Sequence, residues 1–323
     1  MRDVFEFLAA CWSTGTLFRS VCALVIVPAL AWLAVRIVAP RIARLEHDPG
    51  WQAPLAAAAA AIPGALFVLL GVEATAGGVQ SACLETLVGR VLFATIILVG
   101  SFGLGRALVL GRRRSQEAST LVRWSNVATG RLAVAAQRSG VTARTIVDER
   151  PFCALAGTWR PTIIVSSGAL SRLSDLELEA ALLHERGHEH RGDQFVAASL
   201  SFLVDLLPLP AADLVGVYRR AREIAADHHA LQHVKPDDLA GALLTFAKSR
   251  TAATGFAALT GDGGVRARLD LLLKDVPIAP VSIAHRAALA LVLVAILGAG
   301  LAPASAAVLH PQPCSMGLSR FAR

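Results

Sequence analysis

Four stretches of the chain stay apolar over roughly the thickness of a bilayer. Residues 20–35 carry no charge, residues 49–72 carry none, residues 86–105 carry only Arg90, and residues 287–309 carry none. A membrane-spanning helix needs about 20 mostly apolar residues. The pattern therefore predicts transmembrane helices near 18–38, 52–72, 87–109 and 287–309. A fifth run, 194–218, is apolar but is broken by Asp205 and Asp213 and holds Pro208 and Pro210. Between the third and fourth runs the periodicity changes. Residues 125–139 read as a helix, and 144–148 and 162–166 as short strands rich in β-branched residues, with Gly157 and Pro161 marking a hairpin between them. Ser174 and Glu177 form a capping box opening a further helix, with Leu176, Ala180, Leu183 and Gly187 as its apolar stripe.

Composition supports this division. Hydrophobic residues make up 54% of the 323 and charged ones 17%, against about 25% charged in a typical soluble protein. Disorder is excluded, because a disordered chain is poor in apolar residues. The net charge of +7 could mark nucleic-acid binding, so its distribution matters. Arg36, Arg41 and Arg44 follow the first run, only Glu73 and Glu85 lie charged after the second, Arg106 and Arg112–Arg114 follow the third, and Lys274 and Arg286 precede the fourth. By the positive-inside rule both termini lie outside and residues 111–286 lie in the cytoplasm, in a multi-pass cell-membrane protein with the bilayer as its surroundings. The basic excess is then a topology signal, and no direct nucleic-acid binding is expected. The five cysteines lack the spacing of a disulfide scaffold or zinc knuckle. Cys11, Cys83 and Cys314 fall on the outer side of this topology, where they can pair under oxidising conditions.

The chemistry sits on the capped helix, where His184-Glu185-Arg186-Gly187-His188 is an H-E-x-x-H motif. The i, i+4 spacing puts both imidazoles on one face, able to hold one zinc ion, with Glu185 beside them to take a proton from a water on the metal. A catalytic zinc usually has three protein ligands. The H-x-x-G-x-x-H extension fails, because Arg191 and Gln194 occupy its positions. The third ligand must be a distant carboxylate or histidine. In the stretch 219–231, Glu223 and Asp227 stand one helical turn apart, suited to one ligating oxygen and one acceptor for a histidine N–H. His228 and His229 are rivals.

HERGHEHRGD followed by EIAAD, with RPTIIVSSGALSRLSDLELEAALLHE upstream, resembles the membrane-embedded gluzincin metallopeptidases, and most nearly the β-lactam-sensing antirepressor type. The resemblance covers roughly residues 85–275. It implies His184, His188 and Glu223 as zinc ligands, Glu185 as general base and Asp227 as the partner of a liganding histidine. It implies Asp193 as a structural residue closing the active-site helix, and Arg268, or Arg266 in the same segment, as stabilising the oxyanion. The expected fold is a mainly α integral membrane protein, with four transmembrane helices and a cytoplasmic α+β zincin-like metallopeptidase domain. Its parts are a membrane region over 1–110, the peptidase domain over 111–286, a last span over 287–309 and an extracytoplasmic tail over 310–323. With so short a tail after the last expected span, no extracellular penicillin-binding sensor is expected, and β-lactam sensing is not expected to carry over. If the zinc ligands are to meet, the run 194–218 must be re-entrant, interfacial or part of the domain core.

The expected reaction is zinc-dependent endopeptidase cleavage of a cytoplasmic or membrane-proximal protein, such as the transcriptional repressor the resemblance suggests. The strand at 162–166 offers an edge for an extended substrate. The alternatives are a quality-control or prenyl-protein type of metallopeptidase, and a non-catalytic zinc-binding scaffold. The charged Arg186 and Glu189, at positions usually uncharged in such peptidases, favour the scaffold unless they pair with each other.

Overall fold

The computed structural model describes residues 16–43, 49–78, 87–206, 212–250 and 265–273. Three long helices come first: α1 (Thr16–Ala43), α2 (Pro49–Gly78) and α3 (Leu87–Trp124). Then follow β1 (Asn126–Val127), α4 (Gly130–Ser139), β2 (Ala143–Ile146), β3 (Cys153–Ala156), β4 (Thr162–Ser166), α5 (Ser167–Arg172) and α6 (Asp175–Arg191). The described chain continues with α7 (Asp193–Leu206), α8 (Ala212–Leu231), α9 (Pro236–Arg250) and α10 (Val265–Leu273). Helices dominate, with one small mixed sheet.

The sheet order is β1-β2-β4-β3. β2 runs parallel to β4, and β3 pairs antiparallel with β4, Cys153 opposite Val165. The hairpin marked by Gly157 and Pro161 therefore joins β3 to β4, not β2 to β4. β3 reads Cys-Ala-Leu-Ala, without a β-branched residue, so propensity gave no sign of it. Its place leaves β4 in the sheet interior with both edges paired. The strand at 162–166 is thus not the edge it was expected to be, and β3 is.

α6 is the central helix. One side packs Leu178 and Leu182 against Ile163 and Val165 of the sheet and Leu132 of α4. The other packs Ala180 and Leu183 against Ala230 of α8, Leu239 and Leu243 of α9, and Leu272 of α10. The expected stripe holds at Ala180, Leu183 and Gly187, but Leu176 is exposed. The capping box forms as expected: Glu177 N–H donates to Ser174 Oγ, and Ser174 N–H donates to the Glu177 carboxylate at 2.7 Å.

The membrane reading needs correction. Among the described residues no helix is long and apolar enough to cross a membrane. The first three expected spans fall within α1, α2 and α3, and the fourth, 287–309, lies outside the described residues, as do Cys11, Cys83 and Cys314. The multi-pass localisation, the cytoplasmic placement of the domain and the outside placement of the termini rested on those spans and fall with them. An apolar run requires only a non-aqueous neighbour, and other helices supply one for part of α1 and α2, while Leu30, Leu33 and Ile37 of α1 stay exposed. Val35, Ala39 and Ile42 of α1, Ala56, Ala59 and Ala60 of α2, Leu200 of α7, and Leu214, Val217 and Tyr218 of α8 form a single buried cluster. α3 also runs on well past its apolar part, through Arg112–Arg114 to Arg123. Its apolar part presents Leu98 and Phe102 on the surface.

The run 194–218 divides into α7 and the start of α8, with Pro208 and Pro210 outside the described residues. α7 lies against α3 and α2, where the Leu203 and Leu206 carbonyls pack on Gly64 and Gly103. Asp205, which broke the run, is buried and accepts from Arg114 of α3 at 2.7 Å.

Candidate metal centre

α6 contributes His184, Glu185 and His188, all buried. The two imidazoles are one turn apart, with ring centres 4.9 Å from each other. α8 crosses directly over them and brings Glu223. His184 Nε2 lies 3.5 Å from Glu223 Oε2, and His188 Nε2 lies 3.5 Å from Glu223 Oε1. The ligand atoms of His184, His188 and Glu223 fall within 4.8 Å of one another, a group able to hold a metal ion.

The outward nitrogens are held as well. His184 Nδ1 is 2.9 Å from Asp227 Oδ1, a contact too poorly aligned to count as a full hydrogen bond. His188 Nδ1 is 2.6 Å from Asp193 Oδ2. Each imidazole thus turns Nδ1 to an aspartate and Nε2 to the shared space, the orientation a histidine ligand needs. Two ligands at about 2.1 Å from one tetrahedral ion sit about 3.4 Å apart, which the Nε2–Oε spacings match. The donor set, two nitrogens and one carboxylate oxygen, suits zinc.

Local sequence explains the placement. α6 ends at Gly192, in the left-handed conformation (φ 66°) that favours glycine. The chain turns there and delivers Asp193 beneath His188. Arg191 locks this corner: it donates to Asp193 Oδ2 at 2.7 Å and to the carbonyls of Arg222 and Ala225 on α8. Arg186, the charge that favoured a scaffold, does not pair with Glu189. It donates to the Ser139 carbonyl at 2.5 Å, closing the C-terminus of α4.

The electrostatics follow from burial and charge. Burial pushes the Glu185 carboxyl up from its usual range, opposed by His188 and His184. Burial works against charge on Glu223 too, yet His188, His184 and Arg268 hold it well below the usual range. Burial alone would push His184 down. The Asp227 and Glu223 carboxylates outweigh it and raise the imidazole to about 9. Arg268 of α10 is buried: its Nε and Nη2 each donate to Asp227 at 2.6 Å, and Nη1 donates to Glu223 Oε2 at 3.2 Å.

The profile of the BlaR1 peptidase M56 family matches residues 73–262 of the chain. The chain belongs to that family. No curated protein and no solved structure matches it. M56 peptidases are generally metal-dependent, and in this M56 chain the matched stretch contains His184, Glu185, His188, Asp193, Glu223 and Asp227 but stops short of Arg268.

Of the residues expected at the site of this M56 peptidase, the structure gathers His184, Glu185, His188, Asp193, Glu223, Asp227 and Arg268. The side chain of Arg266 is outside the described residues. The rival His228 and His229 do not join the metal-capable group; His229 instead stacks on His190 and lies tilted against His233. Sequence reading passed over Arg191 and Arg222. Arg222 is buried beside Glu223, its Nε 3.4 Å from Oε1. The one available signal was position, next to a ligand on α8.

Two chambers meet at the centre. The smaller, about 100 Å³, is lined mainly by apolar side chains, including Phe152, Leu239, Leu243 and Phe246. The larger, about 330 Å³, lies between α3, the β3–β4 turn and α7. Glu185 and Glu223 border both, and β3 runs past them, with Cys153 in the smaller chamber and Ala154–Ala156 in the larger.

Proposed function

We propose that this M56 peptidase is a zinc endopeptidase, with His184, His188 and Glu223 as the metal ligands and Glu185 as the general base. The observation that supports it best is the convergence of both Nε2 atoms on the Glu223 carboxylate, each 3.5 Å away, with Glu185 on the wall of both chambers. A zinc ion bound there lowers the pKa of water and polarises a carbonyl. Glu185 accepts the proton of the attacking water and passes it to the leaving amine. Its burial-raised pKa suits a group that must first take and then return a proton. Asp227 and Asp193 hold the two imidazoles by Nδ1.

Arg268 is better read as a positioning residue than as an oxyanion donor. Its guanidinium is already committed to Asp227 and Glu223. The substrate is a protein segment lying extended along β3, the edge strand of the sheet, where it takes the place of the Gln194 amide that donates to the Leu155 carbonyl at 3.1 Å. A transcriptional repressor is the class suggested by the family resemblance.

The test has two measurements. Purified full chain should bind one zinc, and so should Glu185→Gln. Wild type should cleave a protein or peptide that Glu185→Gln leaves intact, with a loss of at least about 100-fold. Equal cleavage by both proteins would remove Glu185 from the mechanism. One zinc in each with cleavage by neither would leave a metal-binding protein that is not a peptidase.

A further inference from the structure

The two chambers differ in charge. In the smaller, the basic residue on the wall is Arg268, which Asp227 and Glu223 already neutralise. The larger carries Arg114, Arg160 and Arg222, and its carboxylates are Glu185 and Glu223, at the boundary with the metal centre. These three arginines are not equivalent. Arg114 is tied to Asp205 at 2.7 Å, and Arg222 lies against Glu223 at 3.4 Å. Arg160, in the turn between β3 and β4, is exposed and forms no ion pair among the described residues. Nearby, Arg219 is pushed down by burial and by the charges of Arg222 and Arg114, so cations crowd this end of the molecule.

β3 gives the register. Cys153 faces the smaller chamber, and Ala154–Ala156 line the larger on the way to the turn holding Arg160. An extended chain paired along β3 advances about 3.3 Å per residue. With its scissile bond beside Cys153, it reaches Ala156, where β3 ends and the turn holding Arg160 begins, after about three residues. We propose that the larger chamber selects an acidic side chain of the substrate, Asp or Glu about two or three residues from the scissile bond, and that Arg160 is the residue that recognises it. This rests on the peptidase reading above. It adds a substrate class, a segment with an acidic residue on one side of the cleavage point only. Charge recognition at an exposed arginine contributes a modest factor, about fivefold, and weakens as salt rises.

Full-length zinc-loaded protein tests this with quenched fluorescent peptides. A single Glu, Gln or Lys is moved through three positions on each side of a central apolar residue. The expected result is a kcat/KM about fivefold higher for Glu than for Lys on one side only, shrinking as salt is raised. Arg160→Glu should abolish or reverse that ratio. Arg138→Glu, the same charge change on the exposed surface of α4, should keep it. Fluorescence anisotropy of labelled peptides on zinc-loaded Glu185→Gln should give the same order without turnover. Cleavage indifferent to the sign of the charge, or a preference that survives Arg160→Glu, overturns the proposal while the peptidase reading stands. Cleavage of no peptide by wild type, with Glu and Lys peptides binding Glu185→Gln equally, ends both.

Discussion

Gly187 on α6 and Ala226 on α8 touch backbone to backbone where the two helices cross. A Cβ at position 187 would stand 3.2 Å from the Ala226 Cα and 3.0 Å from the His229 Cβ, tighter than ordinary contact. This approach lets Glu223, one turn before Ala226, reach the imidazoles that flank Gly187. A helix-interior glycine costs about 1 kcal/mol relative to alanine, and at this crossing it gains the closeness of α8.

Gly187→Ala should therefore leave the metal-free fold about as stable as before, within about 1 kcal/mol, because helix propensity offsets the crowding. It should weaken zinc binding about tenfold, because Glu223 is moved off its 3.5 Å spacing. Thermal unfolding without metal and a zinc competition titration check the two halves. Unchanged zinc affinity would show that the helices can part without disturbing the site.

Asp193 and Asp227 should matter to metal affinity, though neither belongs to the three-residue group. Asp193→Asn and Asp227→Asn each remove a charged acceptor from an imidazole Nδ1, and losses of about 10- to 100-fold in zinc affinity are expected. Asp193→Asn also removes the ion pair of Arg191 at the α6–α8 corner and leaves its hydrogen bonds to the Arg222 and Ala225 carbonyls. The measurement is competition against a chelator of known affinity. An Asp193→Asn protein with wild-type affinity would return that residue to the helix-closing role first expected of it.

Arg268 neutralises two buried carboxylates at once. Arg268→Met removes their shared guanidinium, leaves His184 and Arg222 as the nearby partners, and should destabilise the metal-free protein by about 3 kcal/mol. Adding Asp227→Asn removes one of the stranded charges and should restore part of the loss. Chemical denaturation of the single and double variants reads both effects. A single variant of unchanged stability that loses only kcat would favour the oxyanion role over positioning.

The pH dependence has a definite sign. In the metal-free protein His184 is raised from its ordinary value near 6.5 to about 9. Its contribution to stability is complete below about 6.5 and is lost as pH rises through 9, a change on the order of 3 kcal/mol. Zinc requires the neutral ring, so metal binding strengthens over the same interval. Thermal midpoints with and without zinc should diverge between pH 6.5 and 9, the metal-free one falling. Parallel curves would falsify the coupling of His184 to Asp227 and Glu223.

How much of this was legible beforehand differs by element. The capping box at Ser174 and Glu177, the helix it opens and the histidine pair on it follow from residues at most a few positions apart. Helix geometry alone fixes such spacings. Asp193 was visible as R-x-D after the motif, but its contact with His188 depends on the turn at Gly192, which spacing does not give. β3 was not legible: its four residues carry no strand preference, and pairing with β4 is what makes them a strand and the edge of the sheet.

The sequence by itself determined where apolar and polar residues fall, and so which segments must be shielded from water and which helix carries the H-E-x-x-H chemistry. It did not determine what shields them. The first two runs taken as bilayer spans are helices that bury Val35, Ala39, Ala56 and Ala60 against Leu200, Leu214 and Tyr218, because hydrophobic burial has no direction and accepts any apolar neighbour. The third ligand was likewise a choice among several until α8 crossed α6. Only that crossing put Glu223 rather than His228 or His229 at the imidazoles, since contacts between residues far apart in the chain are set by packing and not by local spacing.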